Sequence, residues 1–203
     1  MKNVIELRKL FFACMVVGSA VVLSSCSDDD DDKIPTPPSV TDVYGDYNGK
    51  MLVAPLENPA SVADEGEPEG TDIVASVKSD TVYFNDFPID GIVKSMIEDE
   101  DAAAKIIEQI GQVDYKVGYK GLLNAAQDSV YMVFDPKPLV ITLPGEGEEK
   151  TTVEVTITAS EEGSYELSSK KLDFDLNADK VTLGGEDFPL FKASKFAFKL
   201  NRK

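Results

Sequence analysis

The sequence predicts a mainly β fold, an antiparallel β-sandwich or barrel-like domain of roughly ten strands with one helical insert. Three observations predict it. Apolar and polar residues alternate over long stretches, as in Val113, Tyr115, Val117 and Tyr119, and again in Val153, Val155, Ile157 and Ala159. Turn-forming residues punctuate these stretches. One segment alone switches to helical spacing. A period of two marks strands with one buried and one wet face. Sandwich and barrel both satisfy it, so the alternation leaves the two open.

The N-terminus reads as an address. Residues 1–9 carry Lys2, Arg8 and Lys9, and residues 10–23 are apolar apart from Gly18 and Ser19. That run is shorter than the roughly 20 residues a membrane-spanning helix needs, and it fits a signal-peptide core. It ends in Leu23-Ser24-Ser25-Cys26. These residues resemble the bacterial lipobox, which implies cleavage before Cys26 and attachment of diacylglycerol and a palmitate-type acyl chain to it. Cys14 leaves with the signal, so Cys26 has no disulfide partner, and acylation accounts for the remaining thiol.

Residues 26–42 read as a tether. The aspartates at 28–32 repel one another and stay solvated, and Pro35, Pro37 and Pro38 favour an extended chain. The start Cys26-Ser27-Asp28-Asp29-Asp30 is similar to the export signal of Bacteroidetes surface lipoproteins. The resemblance implies an outer-membrane lipoprotein exposed on the cell surface.

Residues 43–203 read as a single β-rich domain. Strands are expected at 47–54, 72–79, 81–85, 113–120, 129–135, 139–143, 152–159, 172–176, 180–184 and 196–200. Residues 57–70 and 145–148 are acidic, Gly-containing loops. Ser79-Asp80, Glu161-Glu162-Gly163-Ser164 and Asn177-Ala178-Asp179 are expected turns. Between Pro88 and Ile110, Ile92, Val93, Met96 and Ile97, then Ala103, Ile106, Ile107 and Ile110, recur at helical spacing. Pro88 suits a first turn and Gly111 a left-handed stop. The acidic residues 98–101 split the insert into two short helices, Asp101 capping the second.

Tyr44-Gly45-Asp46-Tyr47-Asn48-Gly49-Lys50-Met51 directly follows the tether. Together with Val82-Tyr83-Phe84-Asn85-Asp86-Phe87-Pro88-Ile89 and Asp135-Pro136-Lys137-Pro138-Leu139, it resembles an uncharacterised family of Bacteroidetes surface lipoproteins of about 200 residues. There is a looser similarity to calycin-like lipoproteins, whose Gly-x-Trp is absent here. The resemblance implies a surface lipoprotein with a β-rich domain and transfers no catalytic residue. Asp86-Phe87-Pro88-Ile89 is echoed by Asp187-Phe188-Pro189-Leu190, which reads as shared strand-exit chemistry rather than a repeat.

Composition narrows the chemistry. The chain has 203 residues, 37 acidic and 20 basic, a net charge of −17, and neither His nor Trp. Ser-His-Asp and Cys-His units are excluded, as is His-ligated zinc. The acidic balance opposes nucleic acid. Ser168-Ser169-Lys170-Lys171 matches Ser-x-x-Lys but falls in an expected strand region, where positions three apart face opposite sides. Asp175, Asn177, Asp179 and Glu186 fit positions 1, 3, 5 and 12 of a calcium loop, yet Lys180 stands where the turn needs Gly. A hairpin loop is the expectation there. Tyr115, Tyr119 and Tyr131 are aromatic candidates for stacking on a sugar, or core residues.

The sequence therefore points to a non-catalytic, lipid-anchored surface protein in a binding or envelope-assembly role. It needs no cofactor or metal, its only site residue is Cys26, and its expected partners are the outer membrane, through the lipid, and a glycan or envelope protein. A carboxylate-dependent hydrolase of surface glycans is the alternative.

Overall fold

The computed structural model describes residues 36–56, 70–97, 99–144 and 150–203. The expected signal peptide, Cys26, the acidic run 28–32 and the expected loops at 57–69 and 145–148 lie outside them. The folded unit runs from Pro37 to Lys203.

A 3-10 turn at Val40–Val43, capped by Ser39, leads into the first strand. In chain order the described strands are β1 Gly45–Pro55, β2 Thr71–Lys78, β3 Thr81–Phe84, β4 Tyr115–Leu123, β5 Ser129–Pro136, β6 Leu139–Pro144, β7 Lys150–Thr158, β8 Gly163–Glu166, β9 Lys171–Leu183, β10 Glu186–Asp187 and β11 Ser194–Arg202. Helices α1 Asp90–Met96 and α2 Glu100–Ile110 separate β3 from β4.

The architecture is a barrel. Pairing runs β11-β1-β2-β3-β4-β5-β8-β9, and β9 pairs back to β11, so eight antiparallel strands close into a ring. Each barrel strand neighbours the next barrel strand along the chain, an up-and-down arrangement. Closure depends on β1 and β11, paired from Tyr47↔Arg202 to Pro55↔Ser194. The β6–β7 hairpin lies outside the ring, joined to the second half of β9 through Val153↔Leu183 to Thr158↔Asn177. Strand β9 thus serves the barrel with its first half and this extension with its second.

The expected strands form, and the expected turns divide. Ser79 and Asp80 both have positive φ, 49° and 54°, the geometry of a tight hairpin turn. Two other expectations need correction. Asn177-Ala178-Asp179 is not a turn but lies inside β9, because β11 pairs residues 171–178 on one edge while β7 engages residues 177–183 on the other. Gly163-Ser164 is not a turn but the start of β8, since Ser164 pairs with both Tyr131 and Asp173. Gly163 suits that place: a Cβ there would lie 2.7 Å from Phe134 Cε2 and 2.7 Å from Phe174 Cβ.

The helical insert divides as expected. Asp99, not Asp101, caps α2, its carboxylate accepting from the Ala102 N–H at 2.8 Å. Gly111 ends that helix at φ 69°. Pro88 lies ahead of α1 rather than in its first turn. The helices place Ile92 and Val93 in the core and pack Ile106, Ile107 and Ile110 against it. Helix α2 lies against β6.

The barrel axis is filled by rings. Phe198 stacks on Phe174 (centroids 4.5 Å apart, 13° between planes) and on Phe84 (5.3 Å). Phe174 in turn meets Phe134 at 4.6 Å. Phe87, just past β3, plugs one end edge-on against Phe84, Tyr115 and Phe196. Its echo behaves differently, because Phe188 is only partly buried and Leu190 is 73% exposed. The shared tetrapeptide is therefore turn chemistry without a shared role. At the other end, Tyr47 is fully buried and donates to the Val43 carbonyl of the 3-10 turn. Arg202 donates to the Asp42 carbonyl at 2.7 Å, tying the last strand to the same turn.

Three interior tyrosines give a pH prediction. Burial pushes the Tyr47, Tyr115 and Tyr119 hydroxyls well above their usual range, with Tyr165 adding to the effect at Tyr47. The unfolded chain ionises these groups near pH ~10 while the fold keeps them protonated. Their contribution is complete below that pH and is lost as pH rises beyond it. The urea midpoint should be flat below pH ~9, begin to fall near pH ~10 and keep falling as pH rises toward the raised native values. An unchanged midpoint would contradict buried hydroxyls.

Candidate functional site

Among the described residues, two clefts open on the outside of the filled barrel. The first, about 310 Å³, lies over the outer faces of β1, β2 and β3, lined by Asp46, Val74, Ser76, Tyr83, Asn85 and Lys203. These are the outward positions of the alternation, so the period that buries Ile73 and Ala75 presents Val74 and Ser76. Val74 is 58% exposed and offers an apolar floor. Lys78 holds its ammonium 4.9 Å from the centre of the Tyr83 ring. The second cleft, about 350 Å³, lies beside Thr71, Pro88, Asp90, Ile107 and Gln112, near the helical insert. Asp72 and Asp86 line both clefts, so the two adjoin. Asp72 is paired with Lys50 at 2.7 Å. Between α1 and the β6–β7 hairpin only a small apolar gap remains, about 10 Å³, flanked by Met96, Ile97 and Leu143.

The clefts present carboxylates, an amide, hydroxyls, a phenol ring and an ammonium around exposed apolar surface. Such a surface can accept and donate hydrogen bonds to a polar, hydroxyl-bearing ligand while an apolar face rests on Val74. The sequence carried a partial signal, since Asp46, Ser76 and Asn85 sit at outward or strand-exit positions. Their convergence depends on strand pairing.

The sequence-predicted candidates separate. Tyr115 and Tyr119 point into the barrel while Tyr131 is 42% exposed outside, so the three form no common platform. Tyr115 donates to the Lys137 carbonyl at 2.7 Å, as a buried hydroxyl should. The Tyr119 hydroxyl is buried without a protein partner. Ser168 and Ser169 sit in the β8–β9 turn rather than in a strand, and both hydroxyls donate to the Glu166 carboxylate, at 3.0 and 2.5 Å. Those donors, Ser169 first, hold Glu166 below the usual carboxylate range.

The calcium template is not a loop. Asp175, Asn177 and Asp179 lie in β9, where a strand sends alternate side chains along one face instead of wrapping them around an ion. Lys195 takes Asp175 at 2.6 Å, Thr158 donates to Asp179 at 2.7 Å, and Lys180 pairs with Asp187 at 2.6 Å. Among the described residues no group of three or more acidic or Cys side chains is placed to hold a metal ion. Nor is any helix among them long and apolar enough to cross a membrane.

A family model described as Domain of unknown function (DUF4840) matches residues 42–183. No curated protein and no solved structure matches the chain.

Proposed function

The chain belongs to the DUF4840 family of domains of unknown function, and from that premise we propose that it is a non-catalytic, lipid-anchored cell-surface protein that binds its partner through the outside of its barrel. One observation carries the binding mode. The barrel axis is occupied by the stacked Phe84, Phe174 and Phe198 rings, whereas the adjoining clefts that share Asp72 and Asp86 are open to solvent. A ligand cup of the kind small barrels offer needs an empty interior. The ligand we infer is a glycan or an envelope protein that presents hydrogen-bonding groups to the outer clefts.

The anchor is Cys26. Support comes from the order of basic region, apolar core, small residues and Cys in residues 1–26, followed by the acidic run 28–32. Acylation holds the protein in the outer membrane, and the acidic run directs it to the cell surface, as in the Bacteroidetes lipoproteins it resembles. The looser likeness to calycin-like lipoproteins is supported by the up-and-down eight-strand ring alone, since Gly-x-Trp is absent.

Two experiments test this reading. Cys26→Ala should move the protein almost entirely from the detergent phase to the aqueous phase, because one apolar run shorter than about 20 residues does not hold it as a span. Retention in the membrane with an uncut signal would sink the lipoprotein reading. Alanine at residues 28–32 should preserve acylation yet protect the protein from protease added to intact cells. Unchanged digestion would reduce that run to a spacer.

A further inference from the structure

On the outer surface of the barrel, Lys195, Asp175 and Asn177 converge where β9 meets β11. Lys195 faces Asn177 directly in the ladder, and Asp175 lies two residues before Asn177, so all three share one face. The Lys195 Nζ is 2.6 Å from Asp175 Oδ2, and each side chain is only about a fifth exposed (21% and 22%). Asn177 is 7% exposed, its Nδ2 donating to Ser160 Oγ at 3.2 Å. Its Oδ1 is buried with no hydrogen-bond partner. The surroundings are apolar: Ala54 pairs with Lys195 and Ala197 with Asp175, Leu52 pairs with Ala197, and all three small or aliphatic residues are buried. A buried amide carbonyl without a donor is costly, and an ion pair beside it has little use for stability at so covered a place.

We propose that Lys195 and Asn177 form an intramolecular isopeptide bond, with Asp175 carrying the protons. In the resting pair the Asp175 carboxylate, bonded to Nζ, holds Lys195 in its ammonium form above the usual range, while burial opposes that charge. Asp175 takes one proton from Nζ. The neutral amine then attacks Asn177 Cγ, and the Nζ–Cγ bond forms. The protonated carboxyl, two residues before Asn177 on the same face of β9, passes its proton to Nδ2. The Cγ–Nδ2 bond breaks and ammonia leaves. The carboxylate, free again, takes the second Nζ proton and hands it to the departing ammonia, which leaves as ammonium. The products are a secondary amide and ammonium, so no oxidant or cofactor enters. Burial slows hydrolysis of the bond once made. The cross-link would tie the last barrel strand to β9 without involving the outer clefts or the anchor.

Trypsin mapping of the purified full-length protein tests the site. The expected species is peptide 172–180 joined to peptide 193–199, lighter than their sum by one ammonia, about 17 Da, and uncut after Lys195. Asp175→Asn, checked for native circular dichroism, should yield the linear peptides instead. Wild-type protein that gives free 172–180 at its unmodified mass, with cleavage after Lys195, overturns the proposal. A linked pair persisting in Asp175→Asn overturns the role of Asp175.

Discussion

Phe198→Ala is expected to lower the stability of the domain by about 4 kcal/mol, the middle of the range for removing a buried ring. The reason is its position at the centre of the aromatic column. Phe198 is fully buried and stacks on two rings, Phe174 and Phe84, with Phe87 a third neighbour at 6.3 Å. Truncation removes the transfer energy of the ring and leaves a hole that the closed barrel cannot collapse, because its strands are held on both sides. Domains of this size have roughly 5–15 kcal/mol in total, so most of the margin is at stake. The melting temperature should drop by on the order of 10 °C. Calorimetry decides the matter, with Leu190→Ala as the comparison, since Leu190 is mostly exposed and its removal should change little. Equal losses in the two variants would mean that the interior is not packed as described.

The second large effect is expected at Gly49, on the seam that closes the ring. A Cβ at this position would lie 2.0 Å from the Lys199 carbonyl oxygen and 2.8 Å from the Leu200 Cα. Both are backbone atoms of β11, so no side chain can swing away to relieve the clash. Gly49→Ala must push β1 off β11, at a cost of about 3 kcal/mol or more. Gly118 supplies the control. It too lies in a strand, β4, yet nothing stands within 4 Å of the Cβ it would gain. Gly118→Ala should be neutral or stabilising by a few tenths of a kcal/mol, because Gly in a strand is the less favourable residue. Denaturation midpoints of the two variants should therefore move apart. If they move together, the close approach of β1 and β11 is not what Gly49 serves.

Much of the local structure was legible in the residues. The period of two in Val113–Tyr119 and Val153–Ala159 reports which side of each strand is buried, since a one-residue slip would expose every apolar side chain. The helical insert was legible for the same reason at a different period, and its break at residues 98–101 followed from acidic residues with no apolar stripe to continue. Caps were less legible: Asp99 and Asp101 are chemically equal, and the backbone decides between them, because Asp99 is extended (φ −79°, ψ 111°) and accepts from the Ala102 N–H while Asp101 is already inside the helix.

The functional surface was less legible than the fold. Asp175, Asn177 and Asp179 suggested an oxygen-ligand loop because spacing alone carries no information on backbone path. The path became a strand because β7 and β11 engage opposite edges of β9 through that very stretch. Lys195 attracted no notice in the sequence, one lysine before an apolar alternation, until register set it opposite Asn177. The outer clefts likewise draw on β1, β2, the exit of β3 and the C-terminal Lys203.

By itself, then, the sequence determined the inventory of this protein: strands with one apolar face, a split helical insert, an acidic surface, and a chain without His that rules out His-dependent chemistry. Those are local or compositional properties, set by each residue's side chain and its immediate neighbours. Only the tertiary structure decided that the sheet closes, because Tyr47 and Arg202 pair across nearly the whole folded unit and either a sandwich or a barrel would bury the same alternating residues. Closure then decided the rest: it brought the rings together on the axis and left the polar clefts, with the Lys195–Asp175 pair, on the outside. Such pairings depend on register between distant segments, which no local period encodes.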